Sequence, residues 1–310
     1  MNLNRRDFGK LALAAAATPA GSLLAARPNS VYGGVQMGVI TYSFRMMPDA
    51  HTDAAKMLQY IVDSGASGIE LMADVAEAYA GSPAHGGAGR GPMAQAVRDW
   101  RLSVSMDKYW EFRKMYNDAG VSIYAFKLEP MPAMSDDELN YIFKVASTLG
   151  ATHVTRELHT DPRNMTTDMA FTQRCGEMAL AHGVVTAYHT HEDTNITAWD
   201  AVLAQSKGNA VNMDCGHYFA GTGESPVPAL EKLHERVASI HLKDRGKGGV
   251  TAPNVPWGQQ ETPIVEILQL MKKNKYTFPA SVELEYTVPD GSDSVVEVKK
   301  CIEYARKALA

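Results

Sequence analysis

Past residue 35 the chain alternates short apolar runs with longer stretches of helical pattern. The runs are "MGVITYS" (37–43), "GIELM" (68–72), "VSIYAFKL" (121–128), "THVTREL" (152–158), "VVTAYH" (184–189), "AVNMD" (210–214), "VASIHL" (237–242) and "ASVELEY" (280–286). Such short runs between turn signals read as buried strands. Between most of them lie helix patterns. "DAAKMLQYIVDSGA" carries Ala55, Leu58, Tyr60, Ile61 and Val62 at near-helical spacing and stops at Gly65. "SDDELNYIFKVASTLGA" opens on a Ser-x-x-Glu capping box, Ser135 to Glu138, and ends at Gly150. "TDMAFTQRCGEMALAHG" ends at Gly183, and "ETPIVEILQLMKKNKY" places Pro263 near its first turn.

Strand and helix alternating over about 270 residues predict an α/β fold, a closed (β/α)8 TIM barrel in a single domain. The rival is an open doubly wound sheet. It would want a Gly-rich phosphate turn after the first strand, and "TYSFRMMPDA" has no G-x-G-x-x-G. One unit is longer than the rest. "YAGSPAHGGAGRGPMAQA" (79–96) is Gly-rich and lacks alternation, which makes it a loop on the active face or a lid. Its glycines match no phosphate-binding motif.

Composition changes this picture little. The 310 residues are 45% hydrophobic and 21% charged, close to an ordinary soluble globular protein. The net charge of -5 offers no basic footprint for nucleic acid. Cys175, Cys215 and Cys301 are odd in number and show no C-x-x-C spacing, so no disulfide framework is expected.

The N-terminus stands apart from the fold. "NRRDFGKLALAAAATPAGSLLAA" pairs Arg5 with Arg6, continues through Phe8 and Lys10, and becomes alanine-rich. It looks like a twin-arginine export signal, with small residues near Ala20 or Ala26 suited to cleavage. Residues 1–30 are therefore read as signal and linker, and 31–310 as the barrel. The apolar run Leu11 to Ala17 is too short to span a bilayer. Removing residues 1–26 would leave a charge of about −7 and no membrane span. The expected location is periplasmic or exported. Twin-arginine export moves folded proteins, which suits an enzyme loaded with its metal beforehand.

In a (β/α)8 barrel the C-terminal ends of the strands line the active site. Here those ends are polar. The fourth ends in Arg156 and Glu157, the fifth in His189 and His191, and the sixth in Asp214 and His217. The seventh ends in His241, Lys243, Asp244 and Arg245, and the eighth carries Glu283 and Glu285. Buried carboxylates are costly unless paired or metal-bound, so a cation is expected where several converge. A divalent metal meets that need. Carboxylate oxygen mixed with imidazole nitrogen suits Mn2+, Fe2+, Co2+ or Zn2+ more than Ca2+.

Each residue has a plainer reading. Asp214 is also placed to cap a helix, His241 to be a satisfied core histidine, and His217 to cap the next helix or to contact substrate. Glu283 and Glu285 share one face of a strand. They would be trivial on a solvent face, but the last strand of a closed barrel has none, and Val282 and Leu284 take the helix-facing side. His153 and His159 flank the fourth strand and are read as structural. His182 is read as a dipole partner at a helix C-terminus.

Taken in order, "GVITYSFR", "GIEL", "YHTHEDT", "MDCGH", "IHLKDR" and "VELEY" resemble the xylose-isomerase-like barrels. That superfamily includes sugar-phosphate isomerases and epimerases, inosose dehydratases, ketose epimerases and the endonuclease-four repair enzymes. The similarity covers about residues 36–305. The resemblance implies a divalent metal held by one residue from each of strands five to eight: a Glu, an Asp, a His and a Glu. Asp214 matches on strand six, His241 on strand seven and Glu283 on strand eight. Strand five departs from the pattern, with His189 at the matching position. Either His189 is itself a ligand, or a carboxylate such as Glu157 takes its place. The H-x-H form resembles an exported or inositol-related branch.

The chemistry these barrels share is proton removal next to a carbonyl, with the resulting enediolate stabilised by the metal. The resemblance therefore implies a sugar isomerase or epimerase. Glu157, Glu285 or His191 would serve as base, and Lys127, His217, Lys243 and Arg245 would bind substrate. The alternative keeps the enolate but loses a substituent, as in a lyase or hydratase on a 3-keto sugar or glycoside. Export favours that alternative, because sugar phosphates are mainly cytoplasmic. An endonuclease would want a basic groove. A non-catalytic sugar-binding barrel would lack bound metal and proton exchange. The expected partner is a small sugar or keto-sugar, and homo-oligomerisation is left open.

Overall fold

The computed structural model describes residues 27–83, 95–158 and 169–310. The export signal with Arg5 and Arg6, the middle of the Gly-rich stretch and His159 lie outside the described residues. Eight parallel strands form the barrel: β1 (Val35–Ile40), β2 (Gly68–Met72), β3 (Ser122–Lys127), β4 (His153–Glu157), β5 (Val185–His189), β6 (Asn209–Asp214), β7 (Val237–Leu242) and β8 (Ala280–Val282). Neighbours pair in chain order, and β1 pairs with both β2 and β8, which closes the ring. A short strand, Val31–Tyr32, folds back antiparallel onto the start of β1.

Every barrel strand overlaps one of the apolar runs, and two depart from theirs by more than one residue at an end. β1 starts earlier than its run and stops at Ile40, because Thr41–Phe44 coil into a 3-10 turn. β8 is a strand only as far as Val282, although Glu283 N still donates to Leu242 O at 3.2 Å.

The connecting helices include α1 (Ala54–Ser64), α2 (Ala73–Tyr79), α3 (Gln95–Ser103), α4 (Asp107–Asp118), α5 (Asp136–Leu149), α6 (Met169–Ala181), α7 (Asp200–Gln205), α8 (Cys215–Thr222), α9 (Val227–Leu233), α10 (Ile264–Asn274) and α11 (Ser294–Ala308). Their ends obey capping chemistry. The Asp53 side chain accepts from the Ala55 and Lys56 amides to start α1. The Ser135–Glu138 capping box forms with both of its bonds, satisfying amides that the first turn of α5 cannot. Gly65 and Gly150 end α1 and α5 at φ of 86° and 82°, left-handed values that suit glycine. The Gly-rich stretch is helical at its edges, since Tyr79 closes α2 and Gln95 opens α3. These helices are tied together where Arg101 donates twice to Glu77, at 2.7 Å each, and Tyr141 Oη donates to Glu77 at 2.9 Å. His182 directly follows α6, where its Nε2 meets Asn140 Oδ1 at 3.1 Å and its ring stacks on Phe143 of the neighbouring helix.

Strand residues alternate between two sides, as the pleat requires. Outward side chains such as Ile69, Leu71, Val154, Met213 and Leu242 pack under the helices. Inward side chains make a polar interior. His153 Nε2 meets Ser239 Oγ at 2.8 Å, and Tyr124 Oη meets Ser281 Oγ at 2.5 Å. Tyr124 crosses the floor where β1 carries Gly38. A Cβ there would stand 2.6 Å from Tyr124 Cε1 and 2.9 Å from Gly68 O. Gly38→Ala should therefore lower unfolding free energy by about 1–3 kcal/mol through overpacking, read by urea denaturation. Among the described residues no helix is long and apolar enough to cross a membrane. The three cysteines are free and buried.

Candidate active site and metal centre

The period of two along the strands brings the chemistry together. Glu70 on β2, Glu157 on β4, His189 on β5, Asn212 and Asp214 on β6, and His241 on β7 all alternate with residues of the outer core. Lys243 continues the inward face of β7, and Glu283 and Glu285 continue that of β8. Their polar atoms meet at the C-terminal mouth of the barrel.

His189, Asp214, His241 and Glu283 are all buried, and one ligand atom from each lies within 4.8 Å of the others. Ligands on opposite sides of one ion stand about 4.4 Å apart at most, so small adjustments would bring the four onto a shared divalent metal. Both imidazoles are held from behind. His189 Nδ1 donates to Asn212 Oδ1 at 2.7 Å, which leaves Nε2 facing the mouth. Asn212 is itself fixed, its amide donating to Ser239 Oγ at 2.7 Å. His241 Nε2 meets Glu70 Oε2 at 2.7 Å, while Nδ1 faces Glu283 Oε2 at 2.8 Å. Backing of this kind orients metal-ligating histidines. Asp214 divides its oxygens. Oδ1 accepts from the His217 amide at 2.8 Å and caps α8, whereas Oδ2 is buried and makes no hydrogen bond. The helix-cap and ligand readings of this residue thus each find an oxygen. That oxygen has the Lys243 ammonium 3.0 Å away but accepts no hydrogen bond, and with two oriented imidazoles and a second carboxylate beside it the donor set fits a divalent ion.

The charges respond to this crowding. Burial pushes the pKa of His189 down to about 3, so it is neutral and can coordinate. His241 goes the other way: burial disfavours its charge, but Glu70 and Glu283 overcome that and raise it to about 10. Both of its nitrogens face carboxylates, so it is an imidazolium when no metal is bound. Burial opposes the charge on Glu70, yet His241 holds it down at about 2. Coordination by His241 Nδ1 therefore requires loss of one proton. Apparent metal affinity should rise about tenfold per pH unit between pH 6 and 9 and fall as pH drops, because protons compete for that nitrogen. Calorimetry in buffers of different ionisation enthalpy should show about one proton released per ion at pH 7.

Beside the quartet lies a second group. Glu157, His189 and His191 also bring ligand atoms together. Glu157 accepts from Lys127 Nζ at 2.6 Å, and its Oε2 lies 3.4 Å from His191 Nδ1 without a hydrogen bond. Burial raises the Glu157 pKa, but Lys127 and the two histidines hold it well below the usual carboxylate range. Because Asn212 occupies His189 Nδ1, only Nε2 is left for either grouping. The two groupings therefore compete for one ion at that nitrogen. Burial lowers the His191 pKa against the pull of Glu157. The rings of His189 and His191 meet edge to face at 5.1 Å, and those of His191 and His217 at 4.7 Å.

Of the residues read as substrate-binding, Lys127 and Lys243 reach the mouth, each paired with carboxylates. His217 lines it, with Nε2 3.0 Å from Lys243 Nζ and Nδ1 3.1 Å from Glu192 Oε1. Arg245 adjoins His217, its Nη1 2.6 Å from His217 Nδ1. It pairs with Glu192 and donates to Ala252 O at 2.6 Å, which fastens the loop after β7. Arg156 points outward, over the rings of Phe171 and Tyr188. Asp244 also faces away, accepting from the backbone amides of Gly258, Gln259, Gln260 and Thr262. Glu70, Asn212 and Ser239 belong to the site and were not singled out by sequence. The signal for Glu70 was there: an acid in the middle of the apolar run "GIELM". A groove of about 580 Å³ lies at the opposite end of the barrel, between His234 and Phe278, and none of these groups lines it.

No protein-family model matches the sequence, and no curated protein matches it. Solved structures match the fold. A xylose isomerase domain protein from Planctomyces limnophilus is 15% identical, with a TM-score of 0.62 over 91% of this chain and 99% of that one. D-psicose 3-epimerase from Clostridium cellulolyticum is 12% identical, with a TM-score of 0.62 over 88% and 99%. A probable 3-DHS dehydratase from Bacillus anthracis is 13% identical, with a TM-score of 0.62 over 86% and 97%. At these identities the likeness establishes the fold alone, a single-domain (β/α)8 TIM barrel.

Proposed function

We propose that this protein is a divalent-metal-dependent sugar isomerase or epimerase that removes a proton next to a carbonyl. The observation that carries this reading is the buried quartet His189, Asp214, His241 and Glu283, with Asp214 Oδ2 lacking a hydrogen bond. Mn2+, Fe2+, Co2+ or Zn2+ suits two nitrogens and two carboxylates. When bound, the metal supplies Lewis-acid stabilisation of the charge that builds on the carbonyl oxygen as the α-proton leaves.

The remaining steps belong to the chain's own groups. Glu157 is ionised at neutral pH and sits at the mouth. While Lys127 holds it, it is a weak base. A substrate oxygen that draws Lys127 away raises its basicity and readies it to take the proton. Glu285, across the mouth on the strand-eight side, and His191 are the other candidate bases. Lys243 and His217 bind substrate oxygens, and Arg245 keeps the wall they stand on in place. Return of the proton to the same or the adjacent carbon gives epimerisation or isomerisation.

One feature favours a second reading, a lyase or hydratase acting on a 3-keto sugar or glycoside. His189 stands where ketose epimerases place a glutamate, so one of the two carboxylates needed for two-sided proton exchange is replaced. With no carboxylate at that position to return the proton, loss of a β-substituent is open to the same enolate. One of the structurally similar proteins is described as a dehydratase. Export through the N-terminal twin-arginine segment belongs to this proposal and points to an unphosphorylated sugar. The test is incubation of metal-loaded protein with ketoses and 3-keto glycosides in deuterated water, followed by NMR. Exchange without loss of a substituent marks the isomerase, and elimination marks the lyase. No exchange and no elimination with any keto sugar would sink both.

A further inference from the structure

Lys243 follows His241 by two residues and so faces the same way. Its ammonium is buried, only 2% exposed, among groups the metal would need. Nζ lies 3.0 Å from Asp214 Oδ2 and 2.9 Å from Glu283 Oε2, the carboxylates of the proposed quartet. It also donates to Glu285 Oε2 at 2.5 Å and to His217 Nε2 at 3.0 Å. The approach to Asp214 lacks hydrogen-bond alignment, so charge rather than direction holds that pair. The lysine stem has a built channel. A Cβ on Gly216 would lie 2.7 Å from Lys243 O and closer still to Cγ, so only glycine leaves the room.

We infer that Lys243 is an intramolecular counter-cation that competes with the divalent ion for Asp214 and Glu283. Without metal, its ammonium neutralises the two carboxylates and keeps the mouth folded in its working shape. With metal, the two positive centres repel each other across the same pair of oxygens. Lys243 then keeps Glu285 and His217 as partners, which is where a substrate oxygen would find it. The lysine thereby couples metal loading to substrate binding and holds metal affinity below what the four ligands alone would give. This inference rests on the metal reading proposed above.

The test is calorimetric titration of Mn2+ into chelator-stripped wild-type and Lys243→Met protein at one pH, with melting curves of both. Removing the competing charge should tighten Mn2+ binding about tenfold or more. The metal-free variant should melt below the wild type, and the metal-loaded variant should not. Equal or weaker Mn2+ binding by the variant overturns the inference while leaving the metal reading intact. If neither protein takes up Mn2+, the metal reading falls and the inference with it. A measurement on wild-type protein guards against a variant that fails to fold. In a crystal structure with Mn2+ bound, Lys243 Nζ should have left Asp214 Oδ2 while staying on Glu285. Persistence of the 3.0 Å contact beside the ion overturns the inference.

Discussion

Asp214→Asn is expected to lower divalent-metal affinity more than about 100-fold, beyond the usual effect of changing a group behind a ligand. Asparagine retains an oxygen for the His217 amide and is itself a favoured helix cap, so α8 should still form. What it removes is the anionic Oδ2, buried without a hydrogen bond and directed at the other three ligands. Lys243 keeps Glu283 and Glu285 as counterions, so the variant should fold with near-normal circular dichroism. Metal titration and proton exchange measured on the same sample check this. Normal metal affinity with unchanged exchange would show that Asp214 serves only as a cap.

Glu157→Gln is expected to lower turnover by about 10²–10⁴-fold, the range for loss of a general base. Metal affinity should change little if the ion sits in the quartet, because Glu157 belongs to the competing group with His191. The variant also frees Lys127 from its 2.6 Å partner, so substrate binding should weaken less than turnover. Steady-state kinetics with a metal titration separate the two. A large loss of metal affinity here, with turnover per bound ion preserved, would assign Glu157 to coordination instead.

Much of this was legible in sequence because two periodicities coincide. The runs "AYHTH", "NMDCGH", "IHLKD" and "VELEY" place polar residues at every second position, so His189 and His191, Asn212 and Asp214, His241 and Lys243, and Glu283 and Glu285 each share a face. Barrel closure then makes those faces meet. What sequence spacing could not carry is partnership across the barrel. Glu70 backs His241 from 171 positions away, and Asn212 orients His189 from the next strand. A lone acid in "GIELM" and an asparagine in "AVNMD" reveal their roles only when the ring is built. Lys243 is the same case: its parity was readable, but not that its ammonium reaches Asp214 and Glu283. Asp244 shows the converse. It stands among the polar residues at the end of strand seven, yet the loop after β7 takes its carboxylate through four backbone amides.

Either His189 or Glu157 completes the set of Asp214, His241 and Glu283. Anomalous diffraction at the manganese edge, from crystals grown with Mn2+, distinguishes them directly. One strong peak is expected within about 2.3 Å of His189 Nε2, Asp214 Oδ2, His241 Nδ1 and a Glu283 oxygen. A peak centred instead on Glu157 and His191, or no peak at the barrel mouth, would contradict that arrangement.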